Sequence, residues 1–239
     1  MRSRGLCKWL YFAVAMISGV TWAQNRPAKN PGAEVRLHIA SVQPGNHRHV
    51  PAVIWLEPLT GTPALPFLPQ GHYTLLQKNR TFIPHLQVIP VGSVVQFPNA
   101  DPFFHNVFSL YRGKRFDLGL YEAGSSKSVI FSREGVSYIF CNIHPEMSAV
   151  VLALSTPLYA IADANESFVI RDIPLGDYKL RVWIEGVPQS TLDKLSHSLH
   201  LSFGVTDLGN LKAPILRDRP TTHANKFGRP YDRDSESIY

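Results

Sequence analysis

An all-β protein is predicted by three features of the 239-residue sequence. Short runs rich in Val, Ile, Phe and Tyr recur along most of its length; Gly, Pro, Asn or Asp punctuates most of the gaps; and no long segment keeps an apolar period of 3.6. Many short strands closed by turns are the pattern of β-sandwiches and barrels. The 19 Pro and 16 Gly are scattered without a period, which excludes collagen. A composition 44% hydrophobic and 18% charged can bury a core, which excludes wholesale disorder.

The elements follow in chain order. Arg2, Arg4 and Lys8 precede an apolar run from Trp9 to Val20, and Thr21-Trp22-Ala23 ends in a small residue, the pattern of a secretory signal peptide over 1–23. About a dozen apolar residues are too few to cross ~30 Å of hydrocarbon as a helix. The expectation is an exported chain, periplasmic or otherwise, with no transmembrane segment after cleavage. Residues 24–32 read as a flexible lead-in. Strand-like runs then follow at 34–40, 52–57, 81–89, 93–97, 106–110, 128–131, 136–141, 149–154, 167–171, 178–184 and 198–203. Pro58–Pro69 reads as an extended loop, Thr191–His197 as one helical turn, and 217–239 as a polar, mobile tail.

Charge and cysteine content narrow the function. The formal charge of +6 includes the three leader cations, so the exported chain carries 21 Lys+Arg against 18 Asp+Glu. No basic stripe is present, and a nucleic-acid partner is not expected. Two Cys exclude a disulfide scaffold, and cleavage would remove Cys7 together with Met1 and Met16. The remaining thiol and the remaining Met then fall in one heptapeptide, Cys141-Asn142-Ile143-His144-Pro145-Glu146-Met147. A lone thiol outside the cytosol is exposed to oxidation unless something protects it, and metal coordination would do so.

The heptapeptide lies between the strand-like runs 136–141 and 149–154, so it is expected to be a tight loop that aims several side chains at one point. A second imidazole, His105, can arrive from an upstream strand. Two imidazoles, a thiolate and a weak axial thioether are the ligand set of a type 1 copper site. Soft sulfur favours Cu(I), imidazole suits both oxidation states, and a fixed trigonal arrangement limits rearrangement as the electron moves. Zinc would not use Met147. No C-x-x-C-H is present for a covalently bound haem.

His105-Asn106-Val107, followed after 36 residues by C-x-x-H-P-x-M, resembles the cupredoxin family, with the short loop spacing of the amicyanins. The likeness runs over roughly 81–155 and takes in Phe82-Ile83-Pro84, Phe116-Asp117-Leu118-Gly119 and Phe131-Ser132-Arg133-Glu134-Gly135. It implies a Greek-key β-sandwich over 79–156 holding one type 1 copper. His105 would be the upstream imidazole, Cys141 the thiolate, His144 the exposed imidazole and electron port, and Met147 the axial ligand. Asn106 would tie the first ligand strand to the Cys loop. Glu146 stands where amicyanins carry an aromatic residue.

The flanks, 33–70 and 157–216, resemble a carboxypeptidase regulatory-like domain, a small transthyretin-like or carbohydrate-binding-like β-sandwich. The segments that carry this are 52–58, 167–183 and 208–211. If both flanks form one sandwich, it is discontinuous around the central domain. The function expected is one-electron transfer between redox partners, with a cytochrome c or a dehydrogenase as the class of donor or acceptor. It is not expected to be an enzyme, because a lone type 1 site lacks the second copper centre that oxidases and nitrite reductases use. Two alternatives stand beside it. One is a carbohydrate- or envelope-binding module, with Trp55 and Trp183 stacking on a glycan, in which the cupredoxin fold is only structural. The other is a copper-storage or sensing protein. Phe103 and Phe104 are expected either to wall the copper site or merely to pack. His38, His47, His49, His72, His85, His197, His200 and His223 belong to no such constellation and read as surface or hydrogen-bonded residues.

Overall fold

A computed structural model of the chain describes residues 32–41, 50–110, 113–213 and 223–230. The leader 1–23, His47, His49 and residues 217–222 and 231–239 of the expected tail lie outside the described residues. The strands in chain order are β1 (Ala33–Ser41), β2 (Ala52–Pro58), β3 (His72–Thr74), β4 (Leu76–Lys78), β5 (Thr81–Ile83), β6 (Leu86–Pro90), β7 (Val94–Pro98), β8 (His105–Ser109) and β9 (Phe116–Tyr121). They continue as β10 (Ser126–Ile130), β11 (Gly135–Phe140), β12 (Ser148–Leu154), β13 (Tyr159–Ile161), β14 (Ser167–Ile173), β15 (Gly176–Ile184), β16 (His197–Leu201) and β17 (Gly204–Ala213). Among the described residues one short helix, α1 (Gln189–Leu195), follows Pro188, and the rest of the regular structure is β as the turn-punctuated runs predict.

The strands form two pairs of sheets and a small hairpin. The order β14-β1-β17 makes one sheet and β13-β2-β15-β16 another, and both contribute to one apolar core that includes Val35, Leu37, Ile54, Leu56, Phe168, Tyr178 and Trp183. Between β2 and β13 the chain builds β10-β7-β3 and β6-β12-β11-β8-β9, which enclose a second core around Phe97, Val107, Phe131, Ile139, Cys141 and Met147. On its return, β13 and β15 pair with β2, and β14 pairs with β1.

Strand β12 belongs to both cores. Val150, Leu152 and Leu154 face the first, while Ala149, Val151 and Ala153 face the second. This is why its sequence reads as a continuous apolar run rather than an alternating one: a strand covered on both faces has no solvent side to mark. Large residues fill the first core and small ones leave room for the aromatic groups of the second.

The elements that differ from the sequence expectation have physical causes. The run expected over 81–89 is split at Pro84, which offers no N–H to a ladder. The chain changes partner there, β5 pairing with β4 and β6 running parallel to β12. Strands β3, β4 and β13 have three residues each, too few to show a period. Strands β9 and β17 expose much of their length and carry Gly at positive φ, Gly119 and Gly209, and so lack a strand signature. The helical turn begins at Gln189 rather than Thr191.

Candidate metal centre

The site is assembled where β8 and β11 lie side by side, joined at Phe108 opposite Phe140. His105 opens β8, Cys141 follows the last residue of β11, and the chain then turns through His144 and Met147 into β12. The loop is closed across its base by Cys141 N–H donating to Met147 O at 3.2 Å and Met147 N–H donating to His144 O at 3.0 Å. Its donors are therefore held by main-chain bonds of the sheet rather than by side-chain contacts alone.

Three donor atoms converge. His105 Nδ1 lies 3.1 Å from His144 Nδ1 and 3.6 Å from Cys141 Sγ, and His144 Nδ1 lies 3.4 Å from that sulfur. A triangle of these sides has a point about 2 Å from every corner, close to the length of a metal–imidazole bond and slightly short of a metal–thiolate bond. Among the described residues these side chains are the one group of three or more His, Cys, Asp or Glu whose ligand atoms converge within 4.8 Å. The donor set of two nitrogens and one soft sulfur in a nearly equilateral array suits copper. Met147 is buried at 1% exposure in the core that contains Cys141.

Asp101 fixes the chemistry of His105. Its carboxylate accepts the His105 Nε2–H at 2.8 Å, and both groups are buried. An ionised carboxylate can only accept, so the proton sits on Nε2 and Nδ1 turns a lone pair toward the sulfur and His144. Asp101 is itself held by the backbone N–H groups of Asn79 at 2.6 Å and Arg80 at 3.0 Å. These come from the two-residue turn between β4 and β5, where both residues have positive φ, 54° and 55°, as a twisted hairpin requires. Burial raises the Asp101 pKa, but these donors and His105 outweigh it and leave it below the ordinary carboxylate value.

The remaining groups are set for binding a cation. Burial lowers the His105 pKa more than Asp101 raises it. His144 is pushed down to about 4, by burial first and then by repulsion from His105 when that ring is protonated and from Arg80. Both rings are thus neutral at pH 7, the form that binds metal. Burial pushes the Cys141 thiol up, offset in part by the backbone N–H groups of Asn106, Ile143 and His144 directed at the sulfur. Metal uptake must therefore displace a proton.

The placement of the other expected residues is mixed. Asn106 reaches Cys141 through its backbone N–H, whereas its side chain turns away and donates to Asp117 Oδ1 at 2.7 Å. Asp117 also accepts Gly119 N–H at 2.9 Å across a bulge in the β8–β9 pairing, which explains the Phe116–Gly119 motif. Phe103 walls the site, its ring 5.2 Å from that of His105 and 5.5 Å from that of His144, with the Arg80 guanidinium 5.3 Å from the Phe103 ring centre. Phe104 points outward and is 54% exposed. His144 is half-buried rather than open, because Phe103 and His105 cover it.

Outside the site, His85 pairs with Glu185 and His200 with Asp177, as expected of surface histidines. Trp183 is buried at 1% exposure and donates to Tyr138 Oη, with only its margin on the cleft beside Trp55. Trp55 lines a cleft of about 840 Å³ beside the Glu57–Arg181 pair. Sequence reasoning missed the orienting carboxylate of Asp101, although a carboxylate four residues before a candidate ligand His is a usable signal.

Among solved structures, the chain is similar to a purple cupredoxin from Nitrosopumilus maritimus, at 25% identity over 36% of this chain and 100% of that one, with a TM-score of 0.32. It is also similar to a reduced amicyanin variant, at 20% identity over 35% of this chain and 83% of that one, with a TM-score of 0.33. A copper-containing nitrite reductase from Thermus scotoductus matches at 25% identity over 41% of this chain and 25% of its own, with a TM-score of 0.33. No protein-family model matches the chain, and no curated protein matches it in sequence.

Proposed function

We propose that this is an exported type 1 copper protein that carries one electron between redox partners. The observation that carries the reading is the convergence of His105 Nδ1, Cys141 Sγ and His144 Nδ1, with the His105 tautomer fixed by Asp101. His105, Cys141 and His144 would hold the metal, with the Met147 sulfur as a fourth, weaker donor. Bound copper would supply a one-electron cycle between its two common oxidation states. The chain's own part is to hold the donors in place. Asp101 keeps Nε2 protonated, three N–H groups favour the thiolate, and Phe103 excludes water from the side of the two rings.

His144 is the ligand with partial access to solvent, so electrons would enter and leave through it, in the weak encounters usual for redox partners. The cupredoxin reading covers 79–156. The sheets built from 33–70 and 157–216 would be one discontinuous regulatory-like sandwich serving as scaffold. A carrier rather than a catalyst is the reading that a single copper of this type supports. One equivalent of Cu(II) added to the purified protein should give an intense thiolate-to-copper absorption and a narrow-hyperfine paramagnetic resonance spectrum. Cys141→Ser should abolish both, and their absence from folded wild-type protein would reject the reading.

A further inference from the structure

We propose that the segment His223–Pro230 is a clasp on the metal loop and that Lys226 is its positioning residue, an inference that rests on the copper reading for its consequence but not for its geometry. Composition marks 217–239 as a mobile tail, yet 223–230 lie against the loop that carries the ligands. His223 N–H donates to Pro145 O at 3.1 Å, inside the heptapeptide. Lys226 N–H donates to Asn142 Oδ1 at 2.8 Å, beside the thiol. The Lys226 ammonium donates to Asp117 Oδ2 at 2.8 Å, and the other oxygen of that carboxylate holds Asn106, the neighbour of His105.

One lysine thus ties the residue after Cys141 to the residue after His105, two ligands 36 positions apart in the sequence. The ring of His223 adds a contact with Phe140, the residue before Cys141, with ring centres 4.3 Å apart. Burial lowers its pKa against the raising effect of the Ala224, His144 and Met147 carbonyls. Both sides of the thiol position, Phe140 and Asn142, are therefore held by a segment that begins 76 residues beyond Met147.

The clasp is a reversible device. The ion pair is partly exposed on both sides, with side-chain exposures of 28% and 39%, and such pairs are weak. Phe227, at 75% exposure, lends the segment no apolar anchor. A contact of this strength closes the loop without locking it. Its effect falls on the metal-free state, where no ligand bonds restrain residues 141–147, and on the rate at which bound metal leaves.

The test uses the full-length chain with Lys226→Met, Lys226→Arg and His223→Ala. In metal-free protein, amide hydrogen exchange of residues 142–147 should quicken about tenfold or more in Lys226→Met and His223→Ala and return toward the wild-type rate in Lys226→Arg. Loss of Cu(I) to a competing bicinchoninate chelator should accelerate in the same order. Wild-type exchange and release rates in Lys226→Met, or a uniform rise in exchange over all strands without preference for the loop, would overturn the proposal. If wild-type protein forms no thiolate–copper band, the copper reading fails by itself, while the metal-free exchange still decides the clasp.

Discussion

Asp101→Asn is the substitution that isolates how the site is oriented. Three N–H donors end on this buried carboxylate: Asn79 on one oxygen, and Arg80 and His105 on the other. Asparagine keeps one acceptor and replaces the other with an amide that can only donate. Its favoured orientation sets the amide nitrogen against Asn79, whose exposed turn water can reach, and keeps the carbonyl on Arg80 and His105. The two retained bonds change from charge-assisted to neutral, a loss of about 1 kcal/mol each, and replacing the Asn79 bond by water at the exposed turn costs up to about 1 kcal/mol more. Metal-free stability should therefore fall by about 2–3 kcal/mol, read as a shift in the urea midpoint. Copper affinity should fall about tenfold, because a neutral carbonyl still accepts Nε2–H but no longer raises the donor strength of the ligating imidazole. A competition titration against a chelator of known affinity measures it. Unchanged stability together with unchanged affinity would refute the claim that the Asp101 charge acts on the site through His105.

Four further outcomes are expected. Met147→Leu conserves volume in a fully packed position, so metal-free stability should drop by less than ~1.5 kcal/mol while the copper spectrum changes; an unaltered spectrum would remove the sulfur from the ligand set. Leu152→Ala empties a fully buried position of the strand common to both cores and should cost about 2–5 kcal/mol in a single cooperative urea transition; independent transitions of the two cores would contradict that coupling. Arg80→Ala removes a positive charge that holds the His144 pKa down, so in metal-free protein that pKa should rise from about 4, read by nuclear magnetic resonance titration of the ring; a fall would reverse the assigned field. Burial raises the Asp117 pKa, but Lys226, Asn106 and Gly119 N–H outweigh it and leave it depressed. Its contribution is present above the ordinary carboxylate range near pH 4 and is lost as pH falls through its own lower value. Loop protection in the metal-free chain should accordingly weaken in acid, and in Asp117→Asn it should be weak already at neutral pH.

Legibility followed sequence distance. The heptapeptide declares its donors because Cys141, His144 and Met147 are local to one turn, and the strands on either side read clearly from their own composition. His105 could be placed because Asn106–Leu110 reads as a strand, and a strand can lie beside any other. Asp101 was only half legible: its spacing to His105 is visible, but the Asn79-Arg80 turn that holds it approaches from a separate hairpin. The clasp left no trace: two of its bonds use the backbone N–H groups of His223 and Lys226, which every non-proline residue possesses, and the third runs from the Lys226 ammonium to a carboxylate 109 positions away. Two sandwiches were expected, but that one strand serves both cores was hidden. An apolar run such as Val150–Leu154 says that both faces are buried without saying against what.

These arrangements bear on how the Cys141 thiol would serve in the proposed electron carrier. Electron exchange is fast when the donors move little between the two charge states, so the protein must hold them where the metal wants them before it arrives. Here each donor is fixed from a different direction: His105 by a carboxylate seated on a hairpin turn, Cys141 by three N–H groups and its place at the end of a central strand, and the loop by main-chain bonds across its base. Sheet β6-β12-β11-β8-β9 is stiffened by a second core on its far face, which an isolated sandwich would leave to water. The loop end remains the part least supported by the sheets, and it is there that residues 223–230 make their contacts. The appended sandwich and the returning segment thus act on the same problem from opposite ends of the ligand strands, rigidity at the strand and a releasable restraint at the loop.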